Sequence, residues 1–428
     1  MALETARHNA VLIRGARIVD PAAGRSESAD VAIVDGLIAR AAPTSAYVIE
    51  ADGMILCPGL VDMHVHLREP GHETKETIAT GTAAAAAGGF TFVACMPNTT
   101  PVLDNPDTLK LVHDRSREAD RCGVGPVAAI TVNREGRELT DFAALLEAGA
   151  VAFSDDGSGV EDDEVMRAAF QRAKTHDALL IQHCEYKSIS AGGVMHLGDV
   201  SRRIGLPGLD PRSEEAMIER DIALCRETGG RYHVAHISTA KAIHMVREAK
   251  AEGLPVTAEV CTHHLVLTDE ACGDADPNTK MHPPLRPMGD VDACRAGLLD
   301  ATIDCIVTDH APHRAEEKAA GFLAAPPGIV GLETAVGLAA RAMIETGLAD
   351  WPAVIRWFTA GPNRVLGRTP PPIEPGSPAD LTIIDTSRRW TVTPGTMSSK
   401  GRNTPFIGWE LIGRPSCTVR RHQIALCR

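Results

Sequence analysis

The chain has no surplus of positive charge: 43 lysines and arginines stand against 56 aspartates and glutamates, a formal net charge of −13. Such a surface offers little to phosphates, which argues against nucleic acid or an anionic membrane as the main partner. No run of about 18 uninterrupted apolar residues occurs, so a membrane-spanning helix is not expected. The opening stretch MALETARHNAVLIRGARIVD mixes charges among its apolar residues and lacks the continuous apolar segment of a secretory signal. C-x-x-C pairs are absent. The 11 cysteines are odd in number, and most sit in apolar runs, as Cys95 does in FTFVACM. A disulfide framework or a zinc ribbon would look different. The cysteines read as small buried hydrophobes in a reducing, cytoplasmic compartment.

What is present is ordinary globular composition, 44% hydrophobic and 23% charged over 428 residues. That length accommodates an α/β barrel of about 250 residues with room to spare. Residues 11–57 read as short strands punctuated by Pro, Gly and Asp turns. From Gly59 onward, apolar runs alternate with helix-like stretches. Eight strand candidates follow, at 60–67, 90–96, 126–132, 150–154, 178–184, 232–238, 255–261 and 304–310. Amphipathic helices are predicted between them, among them 107–120, 163–177, 213–230 and 240–253. Near-continuous apolar strands alternating with helices imply a parallel sheet covered by helices, and eight such units imply a closed (β/α)8 barrel. A doubly wound open sheet is the alternative, but the glycine-rich turns GGF and GVGP form no G-x-G-x-x-G fingerprint. Ala83–Ala87 reads as a helix face packed closely on the barrel. After about residue 365 the chain turns rich in Pro and Gly, with strand-like pieces LTIID, WTVT and WELIG. The expected division is a β domain from 1–58 and 366–428 flanking a barrel at 59–365.

The ionisable residues fall where the strands end. His64 and His66 close strand one, two residues apart, which points both imidazoles to one side. Asp155 and Asp156 follow strand four, His183 ends strand five, His236 strand six and Asp309 strand eight. Barrel active sites lie at the carboxyl ends of the strands, so five strands deliver imidazole or carboxylate into one mouth. Singly each has a bland explanation, and His113, His176, His244 and His422, on helices or in the tail, read as surface. Gathered at one end, these costly polar groups point to a site. Four imidazoles with carboxylates suit Zn²⁺ or a similar borderline metal. There are more ligands than one tetrahedral ion needs, and a carboxylate is available to bridge, which suggests two ions and metal-assisted hydrolysis. Spacing does not choose between Asp155 and Asp156.

PGLVDMHVHLREPG (58–71) resembles the signature of the amidohydrolase superfamily and, more narrowly, of the type I dihydroorotases. The resemblance continues through CMPNT (95–99), FSDDG (153–157), QHCE (182–185), VAHIS (234–238) and KMHPPLR (280–286). TDHAPH with EEK (308–318), GIVGLET (328–334) and SKGRNTPFIGWEL (399–411) carry it across nearly the whole chain. It implies metal ligation by His64, His66, Asp156, His183, His236 and Asp309, with two Zn²⁺ bridged by Asp156. The implied reaction is the reversible interconversion of N-carbamoyl-L-aspartate and dihydroorotate in de novo pyrimidine synthesis, with Asp309 as general base and then acid. Substrate contacts would come from His66, Arg68, Asn98, His282, His313 and the backbone of Pro327 and Gly328. Arg68, in H-x-H-x-R, suits a bidentate grip on the substrate carboxylate.

Two positions depart from the family pattern. His282 stands where relatives usually carry Asn, and Thr262 where Pro is usual before His263 and His264, a pair that reads as support or packing. Other cyclic amidohydrolases, the hydantoinases and allantoinases, typically bridge with a carbamylated lysine at the end of strand four. No lysine lies there, since Lys174 and Lys187 belong to other segments. Some dihydroorotase-like chains have lost ligands and serve as structural partners of aspartate carbamoyltransferase, whereas all six positions are filled here. A homo-oligomer is expected, and a complex with aspartate carbamoyltransferase is compatible with an active enzyme.

Overall fold

Apolar strands need both faces covered, and this chain meets the need by curling them into a ring. The computed structural model describes residues 3–426. Its central sheet has eight parallel strands, each paired with the next. They are β1 (Leu60–Val65), β2 (Phe90–Cys95), β3 (Gly123–Ala128) and β4 (Ala152–Phe153). β5 (Leu179–Gln182), β6 (Arg231–Val234), β7 (Val256–Cys261) and β8 (Cys305–Val307) follow. The ring closes between β8 and β1 through a Val65–His310 bridge, where the His66 amide donates to the His310 carbonyl at 2.8 Å. Buried Asp62 reinforces the seam by accepting from the Thr308 amide at 3.2 Å and its hydroxyl at 2.5 Å. The architecture is therefore a (β/α)8 barrel and not an open sheet.

Helices Pro106–Ala119, Asp163–His176, Arg212–Thr228 and Ala240–Ala251 fall within two residues of the predicted segments. Their ends are built from side chains suited to the task. Asn105, Asp162 and Thr239 cap orphan amides at three N-termini, and Gly229 ends the third helix in the left-handed conformation. Strand three is displaced from its predicted position, 126–132. It begins at Gly123, and a β-carbon on Gly125 would lie 2.6 Å from the Phe92 ring and 2.7 Å from Val151, so the strand needs glycine there. GVGP is thus barrel strand, its glycines admitting large neighbours, and the expected strand residues Ile130 and Thr131 turn into the following loop.

Both termini build the flanking sheets. A seven-stranded sheet orders Glu4–Arg7, Gln423–Leu426, Glu410–Arg420, Asp380–Thr391, Ile55–Pro58, Arg17–Asp20 and Arg25–Ser28. A four-stranded sheet orders Leu37–Ala39, Val31–Val34, Ala10–Arg14 and Tyr47–Glu50. Their shared apolar core includes Val11, Ile13, Ile33, Leu56, Ile383 and Val419. LTIID and the first two residues of WTVT, Trp390 and Thr391, merge into one strand with an irregularity between Asp385 and Arg389. The ten described cysteines are all buried, and Cys427 lies outside the described residues. Among the described residues, no helix is long and apolar enough to cross a membrane.

The alanine run forms helix Ile78–Ala87, which lies against both β2 and the terminal strand Glu410–Arg420. Small side chains let it sit between two sheets. The contact is tight enough for Thr418 to donate to the Ala86 carbonyl at 2.7 Å. Just beyond, a β-carbon on Gly88 would lie 2.1 Å from the Leu332 carbonyl oxygen. Gly88→Ala is expected to destabilise by about 1–3 kcal/mol, the usual cost of overpacking. Thermal denaturation checks this, and an unchanged midpoint would show that the backbones separate freely.

Candidate metal centre and substrate cavity

The strands are shorter than the sequence suggested, so most site residues occupy the first turn of a loop. His64 lies within β1 and His66 just past it, while Asp156, His183, His236 and Asp309 follow β4, β5, β6 and β8. His236 (φ 32°) and Asp309 (φ 46°) take the left-handed conformation, as does Arg68 (φ 61°). For non-glycine residues this costs on the order of 1–3 kcal/mol each and is tolerated where surrounding structure holds it.

The six predicted ligands converge. Asp156 Oδ1 lies 3.4 Å from His64 Nε2, 3.6 Å from His183 Nδ1 and 3.9 Å from His236 Nε2. His66 Nε2 lies 2.9 Å from Asp309 Oδ1 and 3.5 Å from Asp156 Oδ2. Two trios, His64–Asp156–His236 and His64–His66–Asp309, each bring three ligand atoms within 4.8 Å of one another. The neighbouring aspartates separate cleanly. Asp155 turns away and accepts from the Thr131 amide at 3.0 Å, while Asp156 faces the imidazoles.

Three of the four imidazoles have an oxygen on the nitrogen that points away from the cluster. His64 Nδ1 meets Glu259 at 2.6 Å, His66 Nδ1 meets the Asn98 carbonyl oxygen at 2.9 Å, and His183 Nε2 meets Glu185 at 3.4 Å. Such partners fix the ring and aim the other nitrogen inward. Asn98, predicted as a substrate contact, lines the cavity, but its amide is already engaged by His66 and, at 3.4 Å, by Asp156. Glu259 was missed from the sequence. Its signal was a lone carboxylate inside the mostly apolar strand VTAEVC.

Burial alone would raise the carboxylate pKa values, but His64 and the neighbouring imidazoles outweigh it. Asp156 is held well below the usual range, Asp309 is also lowered, and Glu259 is held at about 2. Conversely, burial alone would lower the imidazoles. The carboxylates hold His64 well above its usual value, and Asp156 and Glu185 bring His183 to about 9. At His66, by contrast, burial prevails over the nearby carboxylates and lowers the ring. His64 Nε2 and Asp156 Oδ1 are buried without a hydrogen-bond partner, although they face each other. Orphaned nitrogen and oxygen donors of this kind fit a borderline divalent ion. Metal uptake must then displace imidazole protons. Zinc binding is expected to release protons at neutral pH and to tighten as pH rises from about 6 to about 9. Calorimetry in buffers of different ionisation enthalpy reads this, and buffer-independent heats would contradict it.

Beside the cluster opens a cavity of about 220 Å³, lined by His66, Arg68, Asn98, Asp156, His183, His236, His282, Asp309, His313, Pro327 and Gly328 among others. Every predicted substrate residue reaches it. Arg68 makes no ion pair with any described carboxylate; its nearest polar neighbours are His313 Nε2 and the Pro312 carbonyl, both at 3.3 Å. His313 Nε2 also lies 2.9 Å from the Pro327 carbonyl. Burial, with Arg68 and Lys75 nearby, pushes His313 down to about 2, so its ring is neutral at physiological pH. His282 is pushed down to about 4, chiefly by burial, and its Nε2 has no partner. A neutral ring therefore lines the cavity at this position. His264 Nε2 meets the Pro283 and Pro284 carbonyls at 3.1 and 3.3 Å and so braces the His282 loop.

The L-hydantoinase of Arthrobacter aurescens shares this (β/α)8 fold. That structure superposes with a TM-score of 0.85 at 22% identity, over 97% of this chain and 95% of its own. Sequence comparison is more specific. A family model described as "Dihydro-orotase-like" matches residues 53–242. A dihydroorotase from Pelotomaculum thermopropionicum is 51% identical over 414 residues, 96% of each chain. One from Bacillus caldolyticus is 49% identical over 371 residues, 87% of each. The chain belongs to the dihydroorotase family.

Proposed function

We propose that the protein is a zinc-dependent dihydroorotase that interconverts N-carbamoyl-L-aspartate and dihydroorotate in de novo pyrimidine biosynthesis. The carrying observation is Arg68, a guanidinium that makes no ion pair with any described carboxylate, facing a cluster of four imidazoles and two carboxylates across one cavity. His64, His66, Asp156, His183, His236 and Asp309 would hold two ions, with Asp156 between them. When bound, the ions supply Lewis acidity toward the amide carbonyl and make water a stronger nucleophile.

The chain's own residues do the rest. Arg68 binds the substrate carboxylate by paired charge-assisted hydrogen bonds. Neutral His313 and His282 offer ring nitrogens to the substrate's polar edges, and the Pro327–Gly328 backbone closes one wall. Asp309, held ionised, accepts the proton of the attacking water and delivers it to the departing ring nitrogen. Ring closure reverses these steps and consumes a proton. The ratio of dihydroorotate to N-carbamoyl-L-aspartate should therefore rise by about tenfold for each unit that pH falls, over the range where both carboxylates stay ionised.

Hydantoinase-type activity is the weaker reading, because Asp156 occupies the place where those enzymes are expected to carry a modified lysine. Dihydroorotate, hydantoin and allantoin should be offered in parallel to metal-stripped and zinc-restored protein. Opening only dihydroorotate, and only with metal, supports the reading; opening only hydantoin or allantoin overturns it. We also take 59–365 as the catalytic unit, flanked by 1–58 and 366–428, and place the enzyme in the cytoplasm as a homo-oligomer. A complex with aspartate carbamoyltransferase would appear as co-elution on a sizing column, and separate elution at micromolar concentration would rule out a tight one.

A further inference from the structure

Strands β1, β4, β5, β6 and β8 each lead into a proposed ligand, and β7 does not. What β7 contributes is Glu259, which has no exposed surface and does not line the substrate cavity. A carboxylate placed among Val256, Ala258, Val260 and Cys261 is costly unless each oxygen finds a donor. Both do. Oε1 meets His64 Nδ1 at 2.6 Å and the His236 amide at 3.4 Å, and Oε2 meets His233 Nε2 at 3.1 Å. His233 is tethered in turn, its Nδ1 lying 2.7 Å from Thr257 Oγ1. His64, His233 and Glu259 are all fully buried, so water does not supply these contacts.

The donor and acceptor rules leave one arrangement. An ionised carboxylate only accepts, so the proton shared with His64 sits on Nδ1. Once metal uptake displaces its other proton, His64 presents its lone pair at Nε2, the atom with no hydrogen-bond partner, 3.4 Å from Asp156 and 3.7 Å from Asp309. His64 is also the residue common to both ligand trios. We propose that Glu259 is the positioning residue of the metal centre: through the His64 Nδ1 contact it fixes the tautomer and aim of the one imidazole that serves both halves of the cluster, while its hold on the His236 amide ties the β6 loop to the same anchor. This rests on reading His64 as a metal ligand.

Zinc affinity, read by competition with a chromophoric chelator and without substrate, tests the idea. Glu259→Gln keeps the shape but offers one acceptor oxygen where two are used, and is expected to weaken zinc binding by about 10–100-fold. Because Glu259 acts through His64, the same substitution in a His64→Ala background should change affinity far less, which a general loss of packing would not predict. A folded Glu259→Gln protein with wild-type zinc affinity, or an equal loss in both backgrounds, overturns the proposal. If the variant fails to fold, a crystal structure of zinc-loaded wild-type protein decides. Zinc on His64 Nε2 with Nδ1 on Glu259 supports it, and zinc on Nδ1 overturns it. Wild-type protein that binds no zinc at all would instead remove the metal-centre reading on which the proposal stands.

Discussion

Asp309→Asn is expected to abolish measurable turnover while leaving most of the zinc in place. The side chain is buried at the mouth of β8, lines the cavity, and sits 2.9 Å from His66 Nε2. Asparagine preserves shape and one ligand oxygen, and His64, His66, Asp156, His183 and His236 still surround the centre. What it would remove is the proposed ability to take a proton and return it, a kind of function worth about 10²–10⁴-fold in rate. Steady-state kinetics in both directions, alongside metal analysis, separates the two effects. A variant turning over at the wild-type rate would remove Asp309 from the chemistry, and one that had lost its metal would recast it as a ligand only.

Arg68→Met should act on binding instead. A substrate carboxylate drawn into a partly buried cavity loses its water and needs a cation in return. Removing one partner of a buried charge pair costs about 2–5 kcal/mol, or roughly 30- to 5,000-fold in kcat/KM. Most of this should fall on KM, because the carboxylate lies away from the reacting amide and is bound alike in ground and transition states. Arg68→Lys should recover part of the loss, restoring charge but not the two-pronged geometry. Unchanged kcat/KM in Arg68→Met would mean that the carboxylate is gripped elsewhere.

The legible part of this protein follows from how barrels place polar groups. Strands buried on both faces must be apolar, so His64, His66, His183, His236 and Asp309 stood out at strand ends, and their shared end of the barrel made them a set. The terminal sheets were legible from short alternating runs between turn residues. Other features depend on geometry that spacing does not carry. Asp155 and Asp156 differ only in which way the loop after β4 turns, and that is settled by the Thr131 amide capturing Asp155. GVGP read as a turn because its glycines answer to Phe92 and Val151, which are distant in sequence. Glu259 was hidden because its partners lie on β1, β6 and the loop after β6. A buried carboxylate makes sense only once His64, His233 and the His236 amide are seen around it. His282 read as a departure from the family's Asn, and the burial that keeps its ring neutral on the cavity wall is not visible in the sequence.

The most direct test is ring closure of N-carbamoyl-L-aspartate at mildly acidic pH by the purified protein alone, before and after chelation and zinc restoration. Dihydroorotate formed with zinc, lost on chelation and regained on restoration is the result expected. Fully zinc-loaded, folded protein that forms no dihydroorotate would contradict the account at its centre.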